Sequence, residues 1–213
     1  MRCVLTIAMA CLALVAVPAS ADDISRLNGG IEIDPGEQAG DLSTVNGGIV
    51  IGADGRVGGV DTVNGSIRLE DRAVVESAET VNGSITVGQQ VEVQGAVSTV
   101  NGAVALSRGT RVAGRVGTVN GRISLTETTV GDGLETVNGD IDIGANSRVD
   151  GGILVEKNQG WSSGKQRNPK ITIGAGAVVN GTLRFERPVD LYLSPTAKIG
   201  PLEGVAPVRH TLE

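Results

Sequence analysis

Hydrophobic and polar residues alternate in short runs along this chain, and the runs return with a period of 18 or 19 residues. The run Ile67-Arg68-Leu69 is typical, because two aliphatic residues flank a polar one, and the next period has Ile85-Thr86-Val87 in the same place. Side chains of a β-strand point alternately to opposite faces, so each run predicts a short strand that buries its outer pair. Apolar residues also recur about six positions apart, which predicts three strands in each period.

A fixed period near 20 residues is the sequence signature of a solenoid, whose repeats are stable only when they stack on one another. Three strands make one triangular turn, and successive turns then lie as parallel strands about 4.8 Å apart. We therefore predict an all-β protein, a single-stranded parallel β-helix of about nine turns with 18–19 residues each. One Phe, one Tyr and one Trp in the whole chain fit a narrow aliphatic core.

The motif Thr-Val-Asn-Gly returns once in each period, and Leu27-Asn28-Gly29 is a degenerate copy that precedes the complete ones. The complete copies begin at Thr44, Thr62, Thr80, Thr99, Thr118 and Thr136. We predict that the valines of the motif stack as an inward column, formed by Val45, Val63, Val81, Val100, Val119 and Val137. The threonines then form an outward column.

The repeated asparagine has two interpretations. In the first it is structural: stacked side chains hydrogen-bond from turn to turn as a ladder, and the glycines occupy corners with left-handed torsions. The residues of this ladder are Asn46, Asn64, Asn82, Asn101, Asn120 and Asn138. In the second interpretation, the outward Thr and Asn columns together present a flat polar face to a carbohydrate or to ice.

The first 21 residues have the pattern of a secretory signal peptide. A basic start at Arg2 precedes an apolar run, and small residues follow it up to Ala21, after which we expect cleavage. The run is too short to span a bilayer, so we expect no membrane span in the mature chain, which is periplasmic or extracellular. Both cysteines, Cys3 and Cys11, lie in this segment, so the mature chain has no disulfide. A lipid anchor on Cys11 is the alternative.

The rest of the chain is predicted to divide into a β-helix over residues 22–204 and a C-terminal tail over 205–213. Residues 156–170 interrupt the apolar pattern and are predicted to form an inserted surface loop. The period then resumes at Ile173, and Val179-Asn180-Gly181 repeats the motif. Prolines and the rings of Phe185 and Tyr192 are expected to close the C-terminal end of the coil. Nothing comparable precedes Asn28, so the N-terminal end is expected to be open to stacking.

The inserted loop contains the candidate ligand contacts. Trp161 stands there with Lys157, Lys165 and Arg167, a combination suited to a sugar or to an anionic envelope polymer. The alternative is that Trp161 folds back and covers the side of the solenoid.

The sequence offers little to catalysis or metal binding. His210 is the only histidine, which excludes an active site or metal centre built from several imidazoles. Asp140 and Asp142 alternate on one strand and are interpreted as a solvated face rather than as a carboxylate pair. Without Arg2 the chain carries 17 basic and 24 acidic residues, spread along the repeats, so we expect no nucleic-acid partner. We predict no catalytic residue, no metal and no cofactor.

The repeats Val-Asn-Gly-Ser-Ile at Val63 and Val81, each preceded by Thr, resemble the bacterial adhesin-type β-helix domains found in envelope and secreted proteins. The resemblance covers about residues 26–155. The stretch from Ile171 to Leu183 resembles turns of the bactofilins, whose polymer-forming β-helices are right-handed. That resemblance implies a right-handed coil. Bactofilins are typically cytoplasmic and have no cleaved signal, and the chain departs from that pattern.

The resemblances and the leader together lead us to expect an exported, non-enzymatic β-helix that serves as a structural or adhesive component of the bacterial cell envelope. Its expected partners are other copies of itself, joined end to end, or envelope glycans. The alternative is a polysaccharide-binding or polysaccharide-acting protein on the same scaffold. Turns of 18–19 residues leave few side loops to line the groove that such an enzyme needs.

Overall fold

A computed structural model describes residues 22–157 and 167–212 of the chain, and in these ranges the regular elements are all β-strands. Every strand pairing is parallel, and each strand pairs with the strand one turn earlier or later. The protein is therefore the parallel β-solenoid that the periodicity predicts. The predicted signal peptide lies outside the described residues.

Each complete turn has three faces, named here in the order in which the chain visits them. The first face contains β1 (Ile24–Asn28), β3 (Leu42–Asn46), β5 (Arg56–Asn64), β7 (Val74–Asn82), β10 (Val97–Asn101), β13 (Arg115–Asn120), β16 (Gly133–Thr136), β19 (Ile153–Val155), β22 (Leu183–Phe185) and β25 (Leu202–Gly204). The second face contains β2 (Ile31–Ile33), β4 (Ile49–Ile51), β6 (Ile67–Leu69), β8 (Ile85–Val87), β11 (Val104–Leu106), β14 (Arg122–Leu125), β17 (Asp140–Ile143), β20 (Lys170–Ile173), β23 (Asp190–Leu193) and β26 (Val208–Thr211). The third face contains β9 (Glu92–Val93), β12 (Arg111–Val112), β15 (Thr129–Val130), β18 (Arg148–Val149), β21 (Val178–Val179) and β24 (Lys198–Ile199).

The second face is a sheet of 10 strands, and the other two faces belong to one sheet of 16 strands. The join is made by β5 and β7, which at nine residues each are long enough to turn the corner from the third face into the first. The 10 strands of the second face give the described chain 10 turns.

Two of the predicted core columns are confirmed on the second face. Ile67 pairs in register with Ile49 and Ile85, and Leu69 pairs with Ile51 and Val87; all six side chains are buried. The residue between each pair faces outward, as the alternation predicts. Stacking aliphatic side chains in register fills the tube at these levels without an aromatic ring.

The solenoid extends further than predicted at its C-terminal end. Residues assigned to a tail from 205 onward include β26, which pairs with β23 and adds a tenth strand to the second face. The prediction was wrong because Val208–Thr211 is exposed along its whole length and therefore carries no inward apolar alternation. Backbone pairing with the preceding turn holds this strand in place.

The insertion lies between β19 on the first face and β20 on the second. It therefore leaves the coil at the corner where earlier turns carry the asparagine and glycine of the motif. Phe185 is buried on the first face of the turn that follows, and Tyr192 is partly buried on the second face. No helix in the described ranges has the length and apolar content needed to cross a membrane.

Candidate functional site

The threonines of the motif point into the solenoid, so their predicted outward orientation was wrong. Thr62 and Thr80 are buried, and each side-chain hydroxyl donates at 2.9 Å to a glycine carbonyl of the preceding turn, Gly47 and Gly65 respectively. The same bond is made by Thr44, Thr99 and Thr118. A buried hydroxyl costs free energy unless it is hydrogen-bonded, and the carbonyl one turn below satisfies it. A Thr face for carbohydrate or ice therefore does not exist.

The valines of the motif point outward, which overturns their predicted place in the core. Val45, Val63, Val81 and Val100 expose 37–40% of their surface, and Leu27 exposes 70%. Their stacking is as predicted, because the flanking Thr and Asn residues pair in register from turn to turn. The result is an outward apolar column, called here the valine stripe: Leu27, Val45, Val63, Val81, Val100, Val119 and Val137.

Sequence contained the signal that orients the motif correctly. Two positions before each threonine stands an apolar residue, as in Val60 before Thr62 and Val97 before Thr99, and these residues are fully buried. Period-two alternation from that position places the threonine inside and the valine outside. Threonine and valine have nearly the same shape, so hydrophobicity alone favoured the wrong member of the pair.

The asparagines of the motif form a continuous ladder on the corner beside the valine stripe. Each side-chain amide Nδ2 donates to the Oδ1 of the asparagine one turn earlier. The donor residues are Asn46, Asn64, Asn82, Asn101, Asn120 and Asn138, the first acceptor is Asn28, and the distances run from 2.9 to 3.1 Å. All the donors point the same way, so the ladder has a direction.

The glycine of the motif is required for close approach and not for a left-handed torsion. A Cβ atom added to Gly65, Gly83 or Gly102 would overlap the carbonyl oxygen of the corresponding glycine one turn earlier. These residues are absent from the positions with positive φ. The close contact brings each glycine carbonyl within reach of the threonine hydroxyl, so Thr and Gly of successive turns depend on each other.

The copy of the motif at Val179-Asn180-Gly181 occupies a different face. Val179 pairs with Val149 on the third face and is buried, and Asn180 donates at 2.6 Å to Asp150 instead of to a ladder asparagine. Local sequence identity therefore does not assign a residue to a column, whereas its spacing from the preceding strand does: Val179 follows Ile173 by six residues, as Val149 follows Ile143.

Arg187 ends the asparagine ladder. Its Nη1 donates to Oδ1 of Asn138 and at 3.1 Å to the carbonyl oxygen of Val137, and its Nη2 reaches the carbonyl of Arg167 at 3.4 Å. Sequence reasoning missed this residue, because an arginine 49 positions from its partner gives no local signal.

The candidate ligand contacts in the insertion divide into two groups. Trp161 and Lys165 lie outside the described residues. Lys157 is exposed, and its backbone N–H donates at 3.3 Å to Glu186. Arg167 forms an ion pair with Asp140 through Nη1 and Nη2, each 3.0 Å from a carboxylate oxygen, so its charge is already paired.

Asp140 anchors the returning end of the insertion. Besides Arg167, it accepts a 2.8 Å bond from the backbone N–H of Lys170, and Arg122 lies 3.8 Å away. Burial alone would raise the pKa of Asp140, but these donors outweigh burial and hold the pKa below its ordinary value. Asp142 is exposed on the same strand. The two carboxylates therefore do not act as a pair.

Acidic side chains gather where the valine stripe ends. Glu156 follows Val155 as Val137 follows Thr136, so it occupies the next position of the stripe. Burial raises the pKa of Glu156, and the carboxylates of Glu135 and Glu186 raise it further. Arg115 forms an ion pair with Glu135 at this place.

A second feature that the sequence did not suggest lies on the second face near the C-terminal end. The rings of Tyr192 and His210 stack with their centroids 4.3 Å apart, and Lys170 places its ammonium 4.5 Å from the centre of the Tyr192 ring. The stack stabilises the exposed last strand, β26, on its neighbour.

Within residues 22–157 and 167–212, no three His, Cys, Asp or Glu side chains are grouped so that they could hold a metal ion. Two open grooves on the first face run along the valine stripe. No family profile, no curated protein and no solved structure matches this chain.

Proposed function

We propose that this protein is an exported, non-enzymatic component of the bacterial cell envelope, with a structural or adhesive role that includes association of its own copies end to end. Export is supported by the basic, apolar and small-residue segments of residues 1–21. The structural role is supported by backbone pairing between all successive turns, and by the asparagine ladder and the bonds from threonine to glycine in the N-terminal part of the coil.

The observation that carries the proposal is the open edge of the first turn. Strand β2 pairs only with β4, and β1 only with β3, within the described chain. The N–H of Ile31 and the C=O of Ile33 both bond to the second turn, to Gly48 and Gly52. Backbone groups alternate in direction along a strand, so Glu32 between them turns its N–H and C=O to the open side. Such an edge is a template for a strand from another copy.

The two ends of the solenoid differ. The last turn contains Pro201 and Pro207, which have no backbone N–H to offer a further strand. Val205 and Val208 of the same turn are exposed. The last turn therefore offers a further strand fewer donors than the first turn does, although the outer edge of β26 is also unpaired in the described chain.

The experiment compares the purified wild-type chain with Glu32→Pro and Glu32→Ala. Proline removes the outward N–H without touching a bond to the second turn, and alanine removes only the charge. We expect the wild type and Glu32→Ala to form assemblies larger than a dimer that grow with concentration in light scattering and electron microscopy, and Glu32→Pro to form none of these larger assemblies. Fractionation of the native organism with N-terminal sequencing should find the chain outside the cytoplasm and beginning at Asp22. A monomer at every concentration, or a chain retained with residues 1–21 in the cytoplasm, would overturn the proposal.

A further inference from the structure

The valine stripe contains five of the seven large hydrophobic side chains that are exposed on the described surface, and end-to-end assembly does not explain it. Its seven residues follow one another at the strand spacing, so the stripe is about 29 Å long. Isolated exposed aliphatic residues are ordinary, but a contiguous row of them on a flat face marks an interaction surface.

The partner of this surface must contact it through side chains. Backbone N–H and C=O groups of the first face are used along the solenoid axis, between successive turns, as in the bonds from Gly47 to Asn64 and from Gly65 to Asn82. A strand therefore cannot be added across this face, in contrast to the open edge of the first turn.

The two flanks of the stripe have different chemistry. On one side runs a column of short or acidic residues that pair in register: Ser25, Ser43, Asp61, Glu79, Ser98, Gly117 and Glu135. On the other side runs the asparagine ladder. A side-chain amide has two N–H groups, and a ladder bond engages one of them. One flank therefore accepts hydrogen bonds, and the other donates them.

We infer that the valine stripe binds the same stripe of a second copy, with the two solenoids side by side and pointing in the same direction. A two-fold axis parallel to the solenoids places each turn opposite the same turn of its partner. It also exchanges left and right, so Asp61 and Glu79 of one copy meet the asparagine flank of the other, and carboxylates face amide N–H groups. An antiparallel arrangement would set the acidic columns against each other.

The acidic flank also selects this partner over an anionic membrane surface. Asp61 and Glu79 border the apolar row, and anionic headgroups would be repelled there. Within the dimer the same carboxylates find donors. Burial raises the pKa of Asp61, and the nearby Asp41 raises it further, so a donor from the partner would find this carboxylate poorly satisfied within its own chain.

The size of the surface makes the dimer weak. Three columns about 5 Å apart and about 29 Å long cover on the order of 400 Å² per partner, about half of what a stable interface needs. Dissociation constants in the micromolar range or weaker are expected. A monomer–dimer equilibrium of this strength suits lateral contact between copies already concentrated on an envelope.

The test uses single cysteines in the full chain carrying Cys3→Ser and Cys11→Ser. Val45→Cys, Val81→Cys and Val119→Cys lie on turns two, four and six of the stripe, and Val74→Cys on the third face is the control. A parallel dimer places each cysteine opposite itself, so all three stripe variants should form disulfide-linked dimers under mild oxidation. Crosslinking of Val81→Cys alone would indicate the antiparallel arrangement and overturn the inference. Equal crosslinking of all variants and the control would overturn it as well.

Sedimentation equilibrium supplies the second readout. Val81→Lys should weaken dimerisation at least tenfold relative to the wild type, and Val74→Lys should leave it unchanged. Glu32→Pro should keep this dimer while losing the larger assemblies, so failure here and failure of the proposed function can be told apart. A wild-type chain that is monomeric at several hundred micromolar, or that binds neutral vesicles through the stripe instead, would refute the side-by-side dimer.

Discussion

Arg187 donates a 2.7 Å hydrogen bond to Oδ1 of Asn138 and so completes a ladder whose last asparagine lies two turns earlier than Arg187 itself. Each asparagine donates to the preceding turn, which leaves the last Oδ1 in need of a donor. The next turn cannot supply an asparagine, because the insertion leaves the coil at that corner. A long arginine side chain from the turn after it reaches across the gap.

Replacing an asparagine inside the ladder should destabilise the protein more than replacing the first one, because an interior side chain makes two ladder hydrogen bonds. Asn82 bonds to Asn64 and accepts from Asn101, and Asn28 only accepts from Asn46. At about 0.5–1 kcal/mol for each exposed bond, Asn82→Ala should lower the free energy of unfolding by about 1–2 kcal/mol, roughly twice the effect of Asn28→Ala. Urea denaturation followed by circular dichroism measures both. Equal losses would mean that the ladder contributes nothing beyond each residue's local environment.

The orientation of Thr and Val is tested by exchanging them one at a time. Thr80→Val keeps the shape but removes the donor to the Gly65 carbonyl, and should cost about 1 kcal/mol. Val81→Thr changes an outward side chain and should cost less than about 0.5 kcal/mol. Denaturant midpoints of the two variants give the comparison. A larger loss of stability for Val81→Thr than for Thr80→Val would mean that the valines, and not the threonines, point into the core.

Close approach of the turns predicts an unusual sensitivity to a single methyl group. Gly102→Ala would place Cβ against the carbonyl oxygen of Gly83, and the backbones of two turns would have to separate. We expect a loss of about 3 kcal/mol or failure to fold. Gly59→Ala is the matched control, since its nearest atoms would lie at an ordinary 3.5 Å. Thermal unfolding distinguishes them, and similar melting temperatures would show that the turns can relax at no cost.

Left-handed corner residues predict a stabilising change. Gln90 has a φ of 56°, and Gly109 occupies the equivalent corner one turn later with a φ of 76°. Gln90→Gly should therefore raise stability by up to about 1 kcal/mol, whereas Gly109→Gln should lower it by a similar amount. Both changes are read from denaturant midpoints. Destabilisation by Gln90→Gly would imply that the glutamine side chain makes a contact worth more than the torsional strain.

The contacts of Asp140 with Arg167 and Lys170 predict that the stability of the protein depends on pH. The pKa of Asp140 is lowered from 3.8 in the folded chain, so its contribution is present at neutral pH and is lost as pH falls below about 4. Asp140→Asn should lose at most about 1 kcal/mol at pH 7 and nothing further at pH 3. Denaturation at both pH values checks this. Asp142→Asn is the control for the removal of one negative charge, since Asp142 is exposed on the same strand. If both variants gave the same pH profile, the contacts of Asp140 would not contribute to stability.

Most of the architecture follows from the period of 18 or 19 residues, because a repeat that cannot bury its own apolar face must stack on its neighbours. The columns through Ile67 and Leu69 and the asparagine ladder follow in the same way. The last strand, Val208–Thr211, has no inward apolar residue, so only its pairing with the turn before it reveals it.

The sequence by itself determined that the chain coils and which residues stack on which, since register follows from the repeat length. Tertiary structure decided what holds the inward threonine in place, because a buried hydroxyl costs free energy unless it finds an acceptor. Thr80 and Val81 are both β-branched and nearly equal in size, so neither shape nor strand propensity separates them. Only the approach of Gly65 from the turn below supplies a carbonyl for the Thr80 hydroxyl, and that contact exists nowhere in the local sequence. The same stacking turns Val81 outward and creates the apolar stripe.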